Sequence, residues 1–452
     1  MRKTLLISAL IVMMFITLLG CFNSDGLKFN SLSGGVGGPG GGSGTLLESF
    51  PKVFHADNTT AYFNTIFPTS DGGIILSGYN RSDQVEDALF VKVNSQGQTE
   101  WKKLGSIGIS SFSFIELGQY YYSVGNAIHN QQYSAYLTKL DRNGNTVKIL
   151  YFDADESYGN LLPLPNNRLI FMYSKQIAKI DTDLNPATSI KWVARINDHY
   201  YFATYNEVSY PSFTYYDEQG NEYLFFAVNS YNGHPGICRM NVKSDSISDF
   251  NSVSTFKRIS GLRIIRSIFP SHNQGVIALG FDQNDNLAIL RLTSDLSQIT
   301  DKKVYSHNLY SYFYSAFVIP SFNNKYLLVI DEYFTGSVVV VLNNNLGIER
   351  QVVLNMRVRS ALPTTGGYIF AGTNRSRNQA LIMSLDSLLN PINCNTVINN
   401  EITITFQEVN SPLSLVPSSI DISPGSLNPR PENTPTTDAN LEEDTTCLPN
   451  WQ

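Results

Sequence analysis

Charge is scarce in this chain, and charge of one sign is nowhere concentrated. Lys, Arg, Asp and Glu make up 15% of the residues, with a net charge of −6. Without basic blocks, nucleic acid is excluded as a partner, and so is electrostatic binding to a membrane surface. Four cysteines are present, too few for a disulfide scaffold and without the spacing of a zinc site. The six histidines, His55, His129, His199, His234, His272 and His307, form no H-x-H or H-E-x-x-H pair. There is no G-x-S-x-G elbow, and no glycine-rich loop is followed by Lys-Ser or Lys-Thr. No catalytic residue, metal or cofactor is therefore expected, and the chain reads as a non-enzyme. Past the first twenty residues no apolar run is long enough to cross a bilayer. Long helical periodicity is also missing, whereas Tyr (25) and Phe (26) are abundant. What remains is an all-β chain.

What is present is a repeat. Asp71 to Trp101 (DGGIILSGYNRSDQVEDALFVKVNSQGQTEW) reads as three short strands: Gly73 to Gly78, Ala88 to Asn94, and a third from near Thr99. The apolar first strand returns as YYYSVG from Tyr120, RLIFMY from Arg168, EYLFFA from Glu222, GVIALG from Gly275, KYLLVI from Lys325 and GYIFAG from Gly367. The second strand returns beside each and ends on a polar residue: Asn94, Asp141, Asp181, Asn241, Thr293, Asn343 and Asp386. The period is about 49 residues, in the range of propeller blades. A small meander cannot bury both its faces alone, and stacking neighbours around an axis solves that. A β-propeller of about seven blades is predicted over residues 46–394. In the last unit, Ser49 to His55 is predicted to supply the missing outer strand, with Pro51 tolerable at an edge.

The pattern of DGG, an apolar strand to Gly, a strand ending Lys-Val-Asn, then Gly and Trp resembles β-propeller repeats common in bacterial lipoproteins and secreted proteins. The resemblance covers about Ser49 to Cys394, with the units from Gly73 and Gly367 matching best. It implies architecture more than activity. Quinoprotein propellers share the hairpin rhythm of VNSQGQTEW, but the quinone-dependent dehydrogenases among them carry adjacent cysteines, which this chain lacks. The propeller lipoprotein of the outer-membrane protein assembly machinery has tryptophan-docked repeats; here there are three tryptophans.

The amino terminus reads as an export signal over residues 1–20, with Arg2 and Lys3 ahead of an apolar Leu5 to Leu19. Leu18-Leu19-Gly20-Cys21 resembles the lipobox of bacterial lipoproteins, which implies lipid on Cys21; an ordinary signal with a chance cysteine is the alternative. Phe22 stands where an Asp would favour inner-membrane retention, which points to the outer membrane. Residues 21–45 read as a tether, with eight glycines between Ser33 and Gly44. At the other end, residues 395–452 read as a disordered acidic tail, with seven prolines, six acids and one base from Pro412 onward. In an exported protein Cys394 and Cys447 are the natural disulfide pair, with two free thiols as the alternative. Cys238 reads as a small buried hydrophobe.

Two aromatic segments stand out, Tyr200 to Tyr216 with eight aromatics and Tyr305 to Tyr314 with five. They read either as outer-strand residues packed between blades or as a recognition surface with the loops that follow each apolar strand. Those loops supply the candidate ligand-binding residues Tyr79, Arg81, Asp83, Tyr231, His234, Tyr333 and Arg375. The acid-rich FDQNDN (Asp282, Asn284, Asp285) and FDADES (Asp153, Asp155, Glu156) lack the Gly and distal Glu of an EF-hand and read as turns. The expectation is a monomeric, lipid-anchored propeller in the bacterial cell envelope that binds or scaffolds a protein or glycan. The alternatives are a carbohydrate-active or quinone-linked propeller enzyme, or an outer-membrane protein assembly factor.

Overall fold

The computed structural model describes residues 43–55, 59–82, 86–105, 110–129, 132–153, 159–197, 200–203, 212–217, 219–230, 235–246, 254–272, 275–308, 313–332, 336–374, 379–393, 404–419, 422–424, 426–427, 429–432 and 435–445. Seven antiparallel sheets form, and neighbouring sheets touch in sequence all the way round, blade 7 against blade 1 included. The protein is a seven-bladed β-propeller.

Blade 1 runs outward through Thr60–Pro68, Ile74–Arg81, Glu86–Val93 and Thr99–Gly105. Blade 2 is Ser110–Leu117, Tyr120–His129, Gln132–Leu140 and Thr146–Asp153. Blade 3 is Gly159–Leu164, Arg168–Tyr173, Gln176–Asp181 and Ile190–Ile196. In blade 4 two segments, Tyr200–Phe202 and Ser212–Tyr216, share the inner edge of Glu222–Ser230, with Gly236–Asn241 and Ser254–Ser260 outside. Blade 5 is Leu262–Pro270, Val276–Asp282, Leu287–Leu292 and Ile299–His307. Blade 6 is Phe313–Pro320, Tyr326–Glu332, Gly336–Leu342 and Ile348–Leu354. Blade 7 takes Arg357–Thr364, Gly367–Asn374 and Gln379–Asp386 from the end of the ring and Lys52–His55 from its beginning. The closing strand is the one expected: Lys52 pairs with Ile382 and Phe54 with Ala380.

The apolar runs that announce each repeat are second strands, not first. An innermost strand precedes each one, and in blades 1, 2, 5, 6 and 7 it carries a β-bulge. The glycine that closes the apolar run belongs to the same device. A Cβ at Gly78, Gly125 or Gly372 would lie within 2.0 Å of the carbonyl oxygen of Tyr62, Ser110 or Arg357 on the innermost strand. Only glycine lets the two backbones approach so closely.

Blades are also buttoned together at their third-to-fourth turns. Asn94 accepts the amides of Gln96 and Gln98, Asp141 those of Asn143 and Asn145, and Asp386 those of Leu388 and Asn390. These side-chain turns are the polar landmarks of the repeat. The preceding blade then reaches over to cap them. Trp101 donates to Arg142 O (3.0 Å), Lys139 to Thr182 O (3.1 Å) and Trp192 to Ser244 O (3.1 Å). Asp282, in the acid-rich FDQNDN, likewise binds the amides of Asn284 and Asn286, so the turn reading of that segment holds.

The carboxy-terminal segment departs from expectation. It forms no core of its own, as its composition requires, yet it is not disordered over its described length. It runs backward around the rim as a belt, adding one outermost antiparallel strand, among the described residues, to each blade except blade 6. Phe406–Glu408 joins blade 5, Ser414–Ser418 blade 4, Ile422–Pro424 blade 3 and Arg430–Glu432 blade 2. Thr436–Asp438 joins blade 1 and Glu442–Asp444 lies on the closing strand of blade 7. At blade 6 the Gln351 side chain donates to Ile404 O (2.6 Å). Apolar side chains spaced along the belt (Ile404, Leu413, Ile422, Ala439 and Leu441) are buried against the ring. Its acids meet basic fourth strands, as in Lys303–Glu408 and Lys103–Asp438.

The last of these contacts titrates. Burial opposes the charge on Glu443, but hydrogen bonds from Lys52 and Thr99, with the Lys52 and Lys102 charges, outweigh it and hold the carboxyl below its ordinary value. A depressed carboxylate stabilises the fold above its unfolded pKa, about 4.3, and that contribution is lost as pH falls through the lower folded value. Hydrogen exchange is expected to show strand 442–444 losing protection below about pH 4 while blade interiors keep theirs. Unchanged protection at pH 3 would show that the ion pair does not hold the strand.

Candidate loop face and axial wall

Strand direction sorts the connections between two faces. Tight turns, first-to-second and third-to-fourth, lie on one face. The second-to-third loops and the blade-to-blade connections lie on the other. Tyr79 and Arg81 sit on that loop face, at the end of the second strand of blade 1. Tyr79 is half-buried and stacks on Tyr62 across the ladder, with ring centroids 4.6 Å apart. Arg81 is exposed and pairs with Glu86 at 3.0 Å. Asp87, next on the facing strand, has its carboxyl pushed up by burial. The structure therefore places two candidate residues side by side. Asp83, Tyr231, His234, Tyr333 and Arg375 lie outside the described residues, as do Cys21, Cys394 and Cys447.

The aromatic segment Tyr200–Tyr216 is described at both ends, and both ends line the inner edge of blade 4. Phe202, Phe213 and Tyr215 are buried, with Phe213 stacked on Phe225 at 4.9 Å. These are packing residues, on the innermost rather than the outer strands. Cys238 is fully buried in the third strand of the same blade, and burial pushes its thiol pKa up. It is inert, as a buried small hydrophobe should be.

The axial wall was not foreseen. Buried polar groups tie each innermost strand to the next blade. Asn64 donates to Ser111 O (3.0 Å), Ser113 to Asn160 Oδ1 (3.0 Å) and Asn160 to Ser212 Oγ (2.8 Å). Asn229 bonds both the carbonyl and the amide of Ile265, Ser267 accepts from Val318 N, and Ser337 from Val358 N. Six of the seven junctions are bridged in this way. The available signal was a recurring Ser or Thr just after each bulge: Thr65, Ser113, Ser267, Ser315 and Ser360. The described innermost strands carry four arginines, Arg263, Arg266, Arg357 and Arg359, and one acid, Glu116, which pairs with Arg142. Arg263 pairs with Asp285, and Asp331 is buried on the second strand of blade 6. The innermost strands of blades 5 and 7 thus carry four arginines and no acid.

Among the described residues no three His, Cys, Asp or Glu side chains gather as a metal site. His272 bonds Lys325 O (2.8 Å), and burial, the largest influence on its ring, lowers its pKa. His55 lies 3.9 Å from Glu442. Site and fold together define a seven-bladed propeller with one tightly turned face and one looped face. No family model matches the chain, and no curated protein does. Many solved structures resemble it, of which two serve as examples. A protein of unknown function from Bacteroides caccae is 13% identical with a TM-score of 0.36, covering 57% of this chain and 88% of its own. BamB from Moraxella catarrhalis is 11% identical with a TM-score of 0.36, covering 70% of this chain and 92% of its own. At these scores neither bears on what this chain binds.

Proposed function

We propose that the chain is a lipid-anchored protein of the bacterial cell envelope, held at the outer membrane through Cys21, whose propeller receives a protein or glycan partner on its loop face. The observation that supports this reading is where the chain enters the ring. Helix α1 (Ser43–Glu48) buries Leu46 and Leu47 on the tight-turn face, with Leu47 beside the blade 7 turn glycine Gly366. Its carbonyl accepts from Ser384 Oγ (2.7 Å), and Ser49 rests against the blade 1 turn glycine Gly97. A tether arriving on the turn face leaves the opposite face, with Tyr79 and Arg81, directed away from the membrane. Rigid tyrosine and arginine on a firm scaffold are the residue types that anchor interfaces.

Two measurements test the reading. Cys21→Ser is expected to abolish fatty-acid labelling and release the protein from membranes; unchanged labelling overturns the anchor. Photo-crosslinkers at Tyr79 or Arg81 in native membranes are expected to capture a partner that a crosslinker at Asn143, on the turn face, does not. Capture from Asn143 alone would place the partner on the wrong face for this reading.

A further inference from the structure

The belt begins and ends at the same place. At its start, Asn393 donates to Glu48 O (2.5 Å) and Phe50 O (3.4 Å), so Cys394 follows directly from a residue held against Phe50. Its end lies antiparallel to the closing strand, with Val53 opposite Asp444, Phe54 opposite Glu443 and His55 opposite Glu442. Cys447 follows Asp444 by three residues in the sequence. Between these points the chain has passed every blade: Ile404 at blade 6, then blades 5, 4, 3, 2, 1 and again 7. A full circuit of the rim therefore brings the described residues nearest the two cysteines, Asn393 and Asp444, to one short segment, against Phe50 and Val53. Neighbouring strands lie about 4.7–5.5 Å apart, within the Cα separations a disulfide spans.

We propose that Cys394 and Cys447 form a disulfide that closes the belt into a covalent hoop around the propeller, with the closing strand clamped beneath the joint. The oxidant is an external disulfide such as glutathione disulfide or an oxidised dithiol protein. One cysteine thiolate attacks it, forming a mixed disulfide and expelling one thiol. The second cysteine then displaces the other, so two electrons pass to the external disulfide and two protons leave the cysteines. Cys238 does not compete, being fully buried in blade 4. Because the cysteines meet only after the belt has been laid, oxidation comes last and locks a ring already closed.

The test needs neither export nor lipid, so its failure is separate from that of the proposed function. Full-length chain purified in reduced form is oxidised with glutathione disulfide and digested at glutamates, of which Glu401, Glu408, Glu432, Glu442 and Glu443 lie between the two cysteines. The expected product is one crosslinked peptide pair, holding Cys394 and Cys447, that separates on reduction. Alkylation of both residues, or a bond from either to Cys238, overturns the disulfide. Hydrogen exchange tests the clamp: in the oxidised chain, residues 52–55 and 442–444 are expected to exchange at least tenfold more slowly than in the reduced chain. The Cys394→Ser/Cys447→Ser variant should match the reduced chain and melt about 5 °C below the oxidised one. A disulfide that forms without slowing exchange in those two strands overturns the hoop as a clamp.

Discussion

Removing residues 1–57 is expected to leave a chain that does not fold cooperatively, whereas removing residues 1–42 leaves the melting temperature unchanged. The longer truncation takes away Leu46, Leu47, Phe50, Val53 and Phe54, each at most 3% exposed. At about 1.5–3 kcal/mol per buried side chain, an upper bound, that loss reaches roughly 8–15 kcal/mol. It matches the whole stability of an ordinary fold. The sheet of blade 7 loses more than apolar contact. Gln379–Asp386 and Glu442–Asp444 both pair with the missing strand, so two edges open at the seam. A ring whose blades are supported by their neighbours spreads such damage. The shorter truncation leaves every described contact in place. A cut at residue 45 falls inside helix α1, so residue 42 is the proper boundary of the tether. Thermal melts followed by circular dichroism, with sedimentation to detect aggregation, separate the outcomes. Melting of the 58–452 chain within a few degrees of the 43–452 chain would show that the ring closes without this strand.

Lys179→Met is expected to cost about 3–5 kcal/mol, the largest effect of any single substitution proposed here. Lys179 is wholly buried in blade 3, and its ammonium lies against the third-to-fourth turn of blade 4. It donates to Val242 O (2.8 Å), Lys243 O (3.1 Å) and Ser244 O (3.3 Å), and lies 3.0 Å from Asp245. Methionine fills the same volume but leaves those carbonyls without that donor in a site water reaches poorly. Burial opposes the charge on Asp245, but the Lys179 hydrogen bond and the Lys179, Arg168 and Lys191 charges outweigh it and hold its carboxyl below the ordinary value. The part that Lys179 contributes to that depression disappears in the variant. Acid should therefore destabilise the wild type more steeply than the variant as pH falls through the range where Asp245 protonates. Lys303→Met provides the contrast, because its partner Glu408 is exposed and such pairs contribute at most about 1 kcal/mol. Urea unfolding midpoints measure both, and equal midpoints for the two variants would remove the buried lysine from its proposed role.

The two substitutions differ because one lysine belongs to the repeat and the other to the surface, and that difference also explains what was readable. Lys92, Lys139 and Lys179 stand two residues before the turn residues Asn94, Asp141 and Asp181. The turns are local hydrogen-bonded structures that impose residue types, and the second strands are buried on both faces and so uninterrupted in apolar character. Seven blades could be counted from those two signals. The closing glycines Gly78, Gly125, Gly280 and Gly372 were legible for the same reason, although their cause, the bulged strand beside them, was not. Bulges break the alternation that marks a strand, so the innermost strands at Thr60, Ser110 and Leu262 carried no periodic signal. In blade 4 the inner strand is made of two pieces, which hid it further. The belt was invisible because most of its strands are three residues long, polar and rich in proline, and are held by a partner surface rather than by their own pattern. Tyr79 and Arg81 could be assigned to the loop face because loop position follows from strand order. Most of the bridging asparagines and serines, and the four arginines, belong to those same unrecognised strands; Asn229 and Ser337 lie on the second strand of blade 4 and the third strand of blade 6.

The position of Lys52–His55 inside its sheet, with a partner on each side, decides how the molecule carries load. A strand at a free edge can be peeled, its bonds failing one after another. Here a pull on the chain ahead of residue 52 acts along a strand gripped by Gln379–Asp386 on one flank and Glu442–Asp444 on the other. The bonds of both ladders must then fail together, in shear. The body can be towed by its amino terminus without being unzipped by it.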